Sequence, residues 1–189
     1  MGKLTKIGVA VIGLALGTIA PAQAANIVTN GSFETGDFTG WTPTGDQTYN
    51  GVQCPGPGPT VADGNCSAFF GPVGTTGGIT QDLTTVAGTL YEIEFSLNSD
   101  GGTPNSFSGS FGAVTFIDET DMANTGGFQT FSFQVLATGT STALTFLFRD
   151  DPGFFFLDAV SVDVAAVPAP AALVLVGAGE APEGKRRDK

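Results

Sequence analysis

The sequence has no histidine and almost no positive charge outside its two ends. Between Ala25 and Gly179 the single basic side chain is Arg149, which stands against fifteen acidic residues and leaves this stretch with a net charge of −14. Phosphate backbones and anionic lipid headgroups are bound through Lys and Arg side chains, which this stretch does not supply. The composition therefore argues against nucleic acid as a partner.

The side chains that most often act as general bases and nucleophiles are scarce as well. Histidine is absent and no lysine lies between residues 25 and 179. Glu92 and Glu94 occupy alternate positions of one predicted strand, so we expect them to share its solvent face. Glycoside hydrolysis instead requires two carboxyl groups that face each other across the scissile bond. We therefore predict a protein that is not an enzyme and keep a glycan hydrolase as the less favoured alternative.

Long hydrophobic runs are few, and the first of them has the pattern of an export signal. Residues 7–20 are about 14 mainly apolar positions that follow Lys3 and Lys6 and precede Ala22-Gln23-Ala24. A membrane-spanning helix needs about 20 apolar residues, whereas a basic start, a short apolar stretch and a small-x-small site are typical of a secretory signal peptide. We predict that residues 1–24 form a signal helix. We expect an exported protein, located at the cell surface, in the extracellular matrix or in the periplasm.

The chain has only two cysteines, Cys54 and Cys66, in a stretch rich in Pro and Gly. A metal site built on two thiolates would need further soft ligands, and the sequence offers no histidine. In an oxidising compartment the two thiols are expected to form a disulfide, which would stabilise the fold by about 3 kcal/mol in the chain-entropy model.

Charged residues make up only 13% of the chain, while it contains 28 glycines and 16 phenylalanines. Aromatic residues suit a pleated surface and glycine suits tight turns, so this composition favours β-strands over helices. Apolar residues alternate with polar ones in 79–83, 91–97 and 129–135, which is the period of a half-buried strand. Further strands are predicted at 111–117, 128–136, 143–149 and 154–164, with a short first strand in 26–34 that enters the Asn30-Gly31 turn, and a long surface loop at 42–72. We predict an all-β domain over residues 25–165, a two-sheet antiparallel jelly-roll sandwich.

Three segments carry a resemblance to a known family. They are Asn30-Gly31-Ser32-Phe33-Glu34 with Trp41, then Ile79-Thr80-Gln81 ahead of Leu90-Tyr91-Glu92-Ile93-Glu94-Phe95, and Phe156-Leu157-Asp158-Ala159-Val160-Ser161-Val162. Together they resemble the galactose-binding-like jelly-roll modules, which include many carbohydrate-binding modules. The resemblance implies a structural Ca²⁺ ion that ties the first strand to the last, held by Glu34 and Asp158. Carboxylate oxygens are ligands that Ca²⁺ prefers.

A carbohydrate site needs exposed aromatic rings beside polar side chains. We expect Tyr49 to be the best candidate, because its hydroxyl suits a wet surface. Trp41, Phe69 and Phe70 are further candidates, with Asn50 as a polar partner. On this hypothesis the protein binds extracellular polysaccharide or another matrix or envelope component. The alternative is that most of these rings form the core, which would leave a structural matrix or biofilm protein without a small ligand.

The C-terminal residues carry a second resemblance. Val167-Pro168-Ala169-Pro170, an apolar run over residues 171–179 and the basic Lys185-Arg186-Arg187 are similar to a PEP-CTERM sorting signal, which is recognised by an exosortase. Ala169 stands where that family usually has Glu, and the apolar run is short: nine helical residues would cover about 14 Å of a hydrocarbon core of about 30 Å. We therefore predict a degenerate sorting tail over residues 166–189.

Overall fold

The computed structural model describes residues 25–54 and 61–166. The predicted signal helix (1–24) and nearly all of the predicted sorting tail (167–189) lie outside these ranges. The described residues form ten strands and no helix, so they contain no apolar helix that could cross a membrane. The strands are β1 (Thr42–Gly45), β2 (Asn50–Gln53), β3 (Ser67–Phe70), β4 (Gly77–Thr84), β5 (Leu90–Ser99), β6 (Asn105–Phe111), β7 (Val114–Thr120), β8 (Gln129–Leu136), β9 (Ser141–Asp150) and β10 (Phe155–Val164).

The strands form two five-stranded sheets in which every pairing is antiparallel. The first sheet has the order β1-β4-β9-β6-β7 and the second sheet the order β2-β3-β10-β5-β8. Most neighbours in space are therefore not neighbours along the chain, so the strands cross repeatedly between the sheets. This arrangement confirms the predicted all-β, two-sheet jelly-roll sandwich.

Aromatic side chains that alternate with polar ones hold the two sheets together. The ring of Phe70 in β3 stacks on that of Phe148 in β9, with ring centroids 4.0 Å apart and planes 7° from parallel. Each fully buried ring of this kind contributes about 1.5–3 kcal/mol through the apolar surface it removes from water. The largest fully buried side chains are Phe33, Phe70, Phe95, Phe107, Phe111, Phe146, Phe148, Phe155, Ile79, Ile93, Leu97 and Leu144.

Residues 42–72, predicted to be one long surface loop, instead contain the three short strands β1, β2 and β3. Glycine and proline in this stretch obscure any alternation of apolar residues. The strands form because longer strands supply pairing partners: β1 lies along β4, and β3 lies between β2 and β10. Local sequence does not reveal pairing of this kind.

The strand predicted over residues 111–117 is wrong in its bounds, because a turn divides it. β6 ends at Phe111 and β7 begins at Val114, and Gly112 between them has φ of 60°. Glycine adopts this left-handed conformation without steric penalty, so it allows the chain to reverse there.

The short first strand predicted ahead of the Asn30-Gly31 turn is also not present as a strand, although the turn is, with the Phe33 N–H donating to the Asn30 carbonyl at 3.3 Å. Asn30 and Phe33 have φ angles of 54° and 55°, a left-handed conformation that interrupts any ladder. The segment nevertheless lies along β10, where the Ile27 N–H donates to the Val162 carbonyl at 3.0 Å. The N-terminal end of the described chain is thus fixed beside the C-terminal end of β10.

Candidate functional site

Two exposed aromatic residues lie at one end of the second sheet and line the same depression. Tyr49 directly precedes β2, Gly71 follows β3 and Phe154 directly precedes β10. The Gly71 N–H donates to the Tyr49 carbonyl at 3.1 Å, which extends the pairing of these strands by one row. Tyr49 is 53% exposed and Phe154 is 37% exposed. They border a shallow depression of about 240 Å³, lined by Tyr49, Gly71, Val73, Pro152, Gly153 and Phe154.

Two further rings continue this surface along the outer face of the sheet. Phe69 in β3 and Phe156 in β10 pair with each other, and both are half-buried on the side away from the core. Ring centroids of Phe69 and Phe154 lie 5.9 Å apart at 74°, and those of Phe154 and Phe156 lie 6.4 Å apart at 40°. We call Tyr49, Phe69, Phe154 and Phe156 the aromatic platform.

Two glycines allow the platform rings to lie close to the strands. A β-carbon on Gly71 would come within 2.7 Å of the Phe154 ring, and one on Gly51 within 2.7 Å of the Phe69 ring. Real β-carbons do not make contacts that short, so any other residue would push the rings away from the sheet. Because these two positions have no β-carbon, the Phe69 and Phe154 rings can lie directly against the strands.

Acidic residues anchor the loops beside the platform. The Phe154 N–H donates to Asp100 Oδ2 at 2.7 Å, and the Gly74 N–H donates to Asp151 Oδ1 at 2.7 Å. Arg149 forms an ion pair with Asp151 at 2.5 Å. These contacts connect the loops before and after the platform to β5 and β9, so the ring positions are supported by the sandwich.

Trp41 and Phe70 do not belong to this surface, which corrects their prediction as ligand-binding residues. Trp41 is 6% exposed, packs on Phe33 and donates its indole N–H to the Asn30 carbonyl at 3.1 Å. Phe70 is fully buried against Phe148. Neither ring has a face free for a sugar, because both fill space between the sheets.

Asn50 lies next to the platform, but its amide is used within the protein. Its Nδ2 donates to the Asp46 carbonyl at 3.0 Å and to Gln47 Oε1 at 3.2 Å, and its Oδ1 accepts from the Gly71 N–H at 3.3 Å. These bonds hold Tyr49 and Gly71 in place. Asn50 therefore positions the platform through its neighbours, and a direct contact of its amide with a ligand stays a prediction.

The predicted disulfide between Cys54 and Cys66 is present. It closes the loop between β2 and β3, and Glu34 Oε1 accepts the N–H groups of Asn65 and Cys66, both at 2.8 Å. Glu34 thus holds the C-terminal end of this loop, where the chain enters β3.

Asp158 holds the same loop at Ala62 and Asp63, a few residues before the part that Glu34 holds. It is fully buried in β10, its Oδ2 accepts the N–H groups of Ala62 and Asp63 at 2.7 and 2.9 Å, and its Oδ1 accepts the Ala159 N–H at 2.7 Å. Burial raises the pKa of this carboxyl, and the N–H donors act in the opposite direction.

The contacts of Glu34 and Asp158 bear on the calcium ion that the family resemblance implies. Three of their four carboxylate oxygens are directed at main-chain N–H donors, and in the described ranges no group of three Asp, Glu or Cys side chains could hold a metal ion. In the structure, the two carboxylates bind the loop that leads into β3. Calcium binding by these two residues stays a prediction, which the titration described below tests.

Replacement of Asp158 by alanine is expected to lower the free energy of unfolding by about 2–3 kcal/mol, because three N–H groups lose their acceptor. Urea unfolding followed by the fluorescence of Trp41, the single tryptophan, measures the change. Asp82→Ala, at an exposed position of β4, is the control and is expected to change stability by less than about 0.5 kcal/mol. Equal stability of the two variants would show that the loop does not depend on Asp158.

Phe154 and Phe156 are platform residues that sequence reasoning missed. A signal for them exists in the three consecutive phenylalanines 154–156, which follow the turn residues Asp151-Pro152-Gly153. Successive side chains of a strand point to opposite faces, so such a run must place at least one ring outside the core. Phe155 is fully buried and its two neighbours face outward.

No protein-family model matches the chain, and no curated protein matches it. Solved structures do match in fold. TmCBM61 in complex with beta-1,4-galactotriose has a TM-score of 0.63 at 18% sequence identity, with 75% of this chain and 100% of that chain covered. The CBM22-1 xylan-binding domain of Paenibacillus barcinonensis Xyn10C has a TM-score of 0.54 at 20% identity, over 77% of this chain and 99% of that one.

A cyclase from Fischerella sp. TAU, in complex with 4-(1H-indol-3-yl)butan-2-one, is similar to the same extent. Its TM-score is 0.54 at 16% identity, with 77% of this chain and 100% of that chain covered. Binding modules and an enzyme thus share this architecture, and fold by itself does not assign function. The described chain has the jelly-roll fold that is found in carbohydrate-binding modules.

Proposed function

We propose that the protein is an exported, non-catalytic module that binds a polysaccharide through the aromatic platform. The observation that carries this proposal is the placement of four aromatic rings on the outside of a sandwich whose other large rings mostly fill the core. Aromatic rings offer a large apolar face at low entropic cost. The apolar C–H face of a pyranose ring complements such a surface, and the hydroxyl of the exposed Tyr49 can bond the polar rim of the sugar.

The charge of the chain favours a neutral glycan over an acidic one. Asp100 and Asp151 lie beside the platform, and the nearby Arg149 is already paired with Asp151. An anionic polysaccharide would be repelled by this surface. The similarity to TmCBM61, solved with galactotriose, and to a xylan-binding domain supports a neutral β-linked polymer.

The non-catalytic part of the proposal is supported by the state of these carboxylates. Asp100 and Asp151 accept hydrogen bonds from main-chain N–H groups, so they serve to hold loops. A glycosidase would instead present one carboxyl as an acid and a second as a base or nucleophile on opposite sides of a bound sugar. Prolonged incubation with a bound glycan is expected to release no reducing ends, and release that depends on either residue would contradict the proposal.

Tyr49→Ala and Phe154→Ala are each expected to weaken glycan binding by about tenfold, which corresponds to about 1.4 kcal/mol. The measurement is affinity electrophoresis and titration calorimetry with β-1,4-galactan and xylan. Both residues are exposed, so the variants are expected to remain folded.

Leu136→Ala is a matched control, because this residue is 52% exposed on β8 and lies outside the platform. It is expected to bind like the unchanged protein. If all three variants bind equally well, the platform is not the site. If the unchanged protein binds no neutral or acidic glycan, the structural matrix alternative replaces this proposal.

A further inference from the structure

Asp150, the last residue of β9, is an unsatisfied buried carboxyl group. Its side chain is fully buried, and neither oxygen has a hydrogen-bond partner in the described part of the chain. A buried charge is destabilising by several kcal/mol unless it is paired, and buried polar groups are nearly always bonded. A carboxylate left in this state therefore points to a partner that is not part of the polypeptide.

A second carboxylate faces Asp150 across Gly153. The position that a β-carbon on Gly153 would occupy lies 2.5 and 2.7 Å from the two oxygens of Asp100 and 2.7 Å from Asp150 Oδ1. Three carboxylate oxygens thus converge on the same side of Gly153. Gly153 is not in the left-handed region, so its backbone conformation does not require glycine. Glycine is required there because a β-carbon would clash with the carboxylate oxygens.

A main-chain oxygen lies near the same Asp150 oxygen, beside Gly102. The position of a β-carbon on Gly102 would be in contact with the Pro152 carbonyl oxygen and 3.0 Å from Asp150 Oδ1. Pro152 and Gly153 also line the depression under the platform. Gly102 and Gly153 lie in facing loops. Because neither has a β-carbon, oxygen atoms of Asp100, Asp150 and Pro152 can occupy the space beside them.

No positive side chain compensates these charges within the described residues. Arg149 is the single cation there, and its guanidinium pairs with Asp151. Asp100 and Asp151 both raise the energy of a charge on Asp150 by repulsion. Such an arrangement is stable when a cation neutralises it.

We propose that Asp100, Asp150 and the Pro152 carbonyl form a binding site for a divalent cation, and that the cation is Ca²⁺. Calcium takes six to eight oxygen ligands at about 2.3–2.6 Å in irregular geometry, and water can supply those that the protein does not. Magnesium requires a closer and regular octahedron. Within the described residues, neither oxygen of Asp150 has a hydrogen-bond partner, and each oxygen of Asp100 accepts one main-chain N–H, from Gly102 and Phe154. At Glu34 and Asp158, by contrast, three of the four carboxylate oxygens accept N–H groups.

The site has a structural consequence for the platform. Asp100 Oδ2 also accepts the Phe154 N–H, so a cation on Asp100 and Asp150 fixes the loop that carries Phe154. The proposal does not depend on glycan binding and is tested without any sugar.

The test is calorimetric titration of the full-length chain with CaCl₂ at pH 8 after removal of metal, with MgCl₂ as a parallel arm. Asp150→Asn and Asp100→Asn are each expected to weaken calcium binding at least about tenfold. Gly153→Ala is expected to do the same by filling the space. Gly139→Ala, where the nearest atom to the added carbon is 3.5 Å away, is the matched control and is expected to bind normally.

The other outcomes overturn the inference. They are an unchanged calcium affinity in both Asp150→Asn and Asp100→Asn, no calcium binding by the unchanged chain up to about 10 mM, or equal affinity for Mg²⁺. A loss of binding confined to Asp158→Asn would place the ion at Glu34 and Asp158 instead. Thermal unfolding of each variant without calcium shows that it is folded, so a misfolded variant is not mistaken for a site residue.

Discussion

Phe70→Ala is expected to lower the free energy of unfolding by about 3–5 kcal/mol, the usual result of removing a fully buried phenylalanine. The ring of Phe70 joins the second sheet to the first through its stack on Phe148. Its removal leaves a cavity that neighbouring strands cannot close without breaking their ladders. Urea unfolding followed by tryptophan fluorescence measures the loss.

Phe69→Ala is the matched control, because Phe69 precedes Phe70 in the same strand and points to the opposite face. It is expected to destabilise the fold by about 1 kcal/mol and to weaken glycan binding. Phe70→Ala is expected to retain its affinity at temperatures where it remains folded. Equal destabilisation by both changes would show that the outer ring is as much part of the core as the inner one.

The melting temperature in calcium-free buffer is expected to rise as the pH falls from 8 to 5. Burial, with repulsion from Asp100 and Asp151, raises the pKa of Asp150 to about 7 from its ordinary value of 3.8. Between these two values the folded state binds more protons than the unfolded state, so stability falls as the pH rises through 7. At 1.36 kcal/mol per pH unit, the free energy of unfolding is expected to increase by about 2–3 kcal/mol from pH 8 to pH 5.

Asp150→Asn is expected to remove most of this pH dependence and to raise the melting temperature at pH 8. A part remains, because burial also raises the pKa of Asp158. The exposed carboxyls of Asp37 and Asp46 act in the opposite direction, since hydrogen bonds from threonines lower their pKa values. A pH profile of Asp150→Asn that is parallel to that of the unchanged protein would show that Asp150 does not titrate in this range.

The long strands were predictable because their side chains alternate over seven or more residues. In β5, Tyr91, Ile93, Phe95 and Leu97 are buried while Glu94 is exposed, as the period of two requires. The strands β1 to β3 could not be predicted in this way. They have four residues each, β1 and β2 contain glycine, and β3 (Ser-Ala-Phe-Phe) shows no alternation of apolar and polar residues, so they depend on pairing partners elsewhere in the chain.

The candidate site was predictable only in part. The sequence identifies Tyr49 as a loop aromatic, and the structure exposes it. Composition does not distinguish Phe69 from Phe70, because which face a ring occupies depends on strand register. The Asp100–Asp150 pair could not be predicted from the sequence either. The two residues lie fifty positions apart, and they come together only because β5 and β9 end at the same place.

The strand β10 separates the aromatic platform from the two ends of the described chain. The strand starts at the platform, and Val162, which is bonded to Ile27, is the eighth of its ten residues, about 23 Å from the platform end at 3.3 Å per residue. Residues 25 and 166, the first and last that the structure describes, therefore both lie toward the end of β10 that is opposite the platform. Attachment of the chain through the residues after 166 would therefore leave the aromatic platform on the side that faces away from the attachment point.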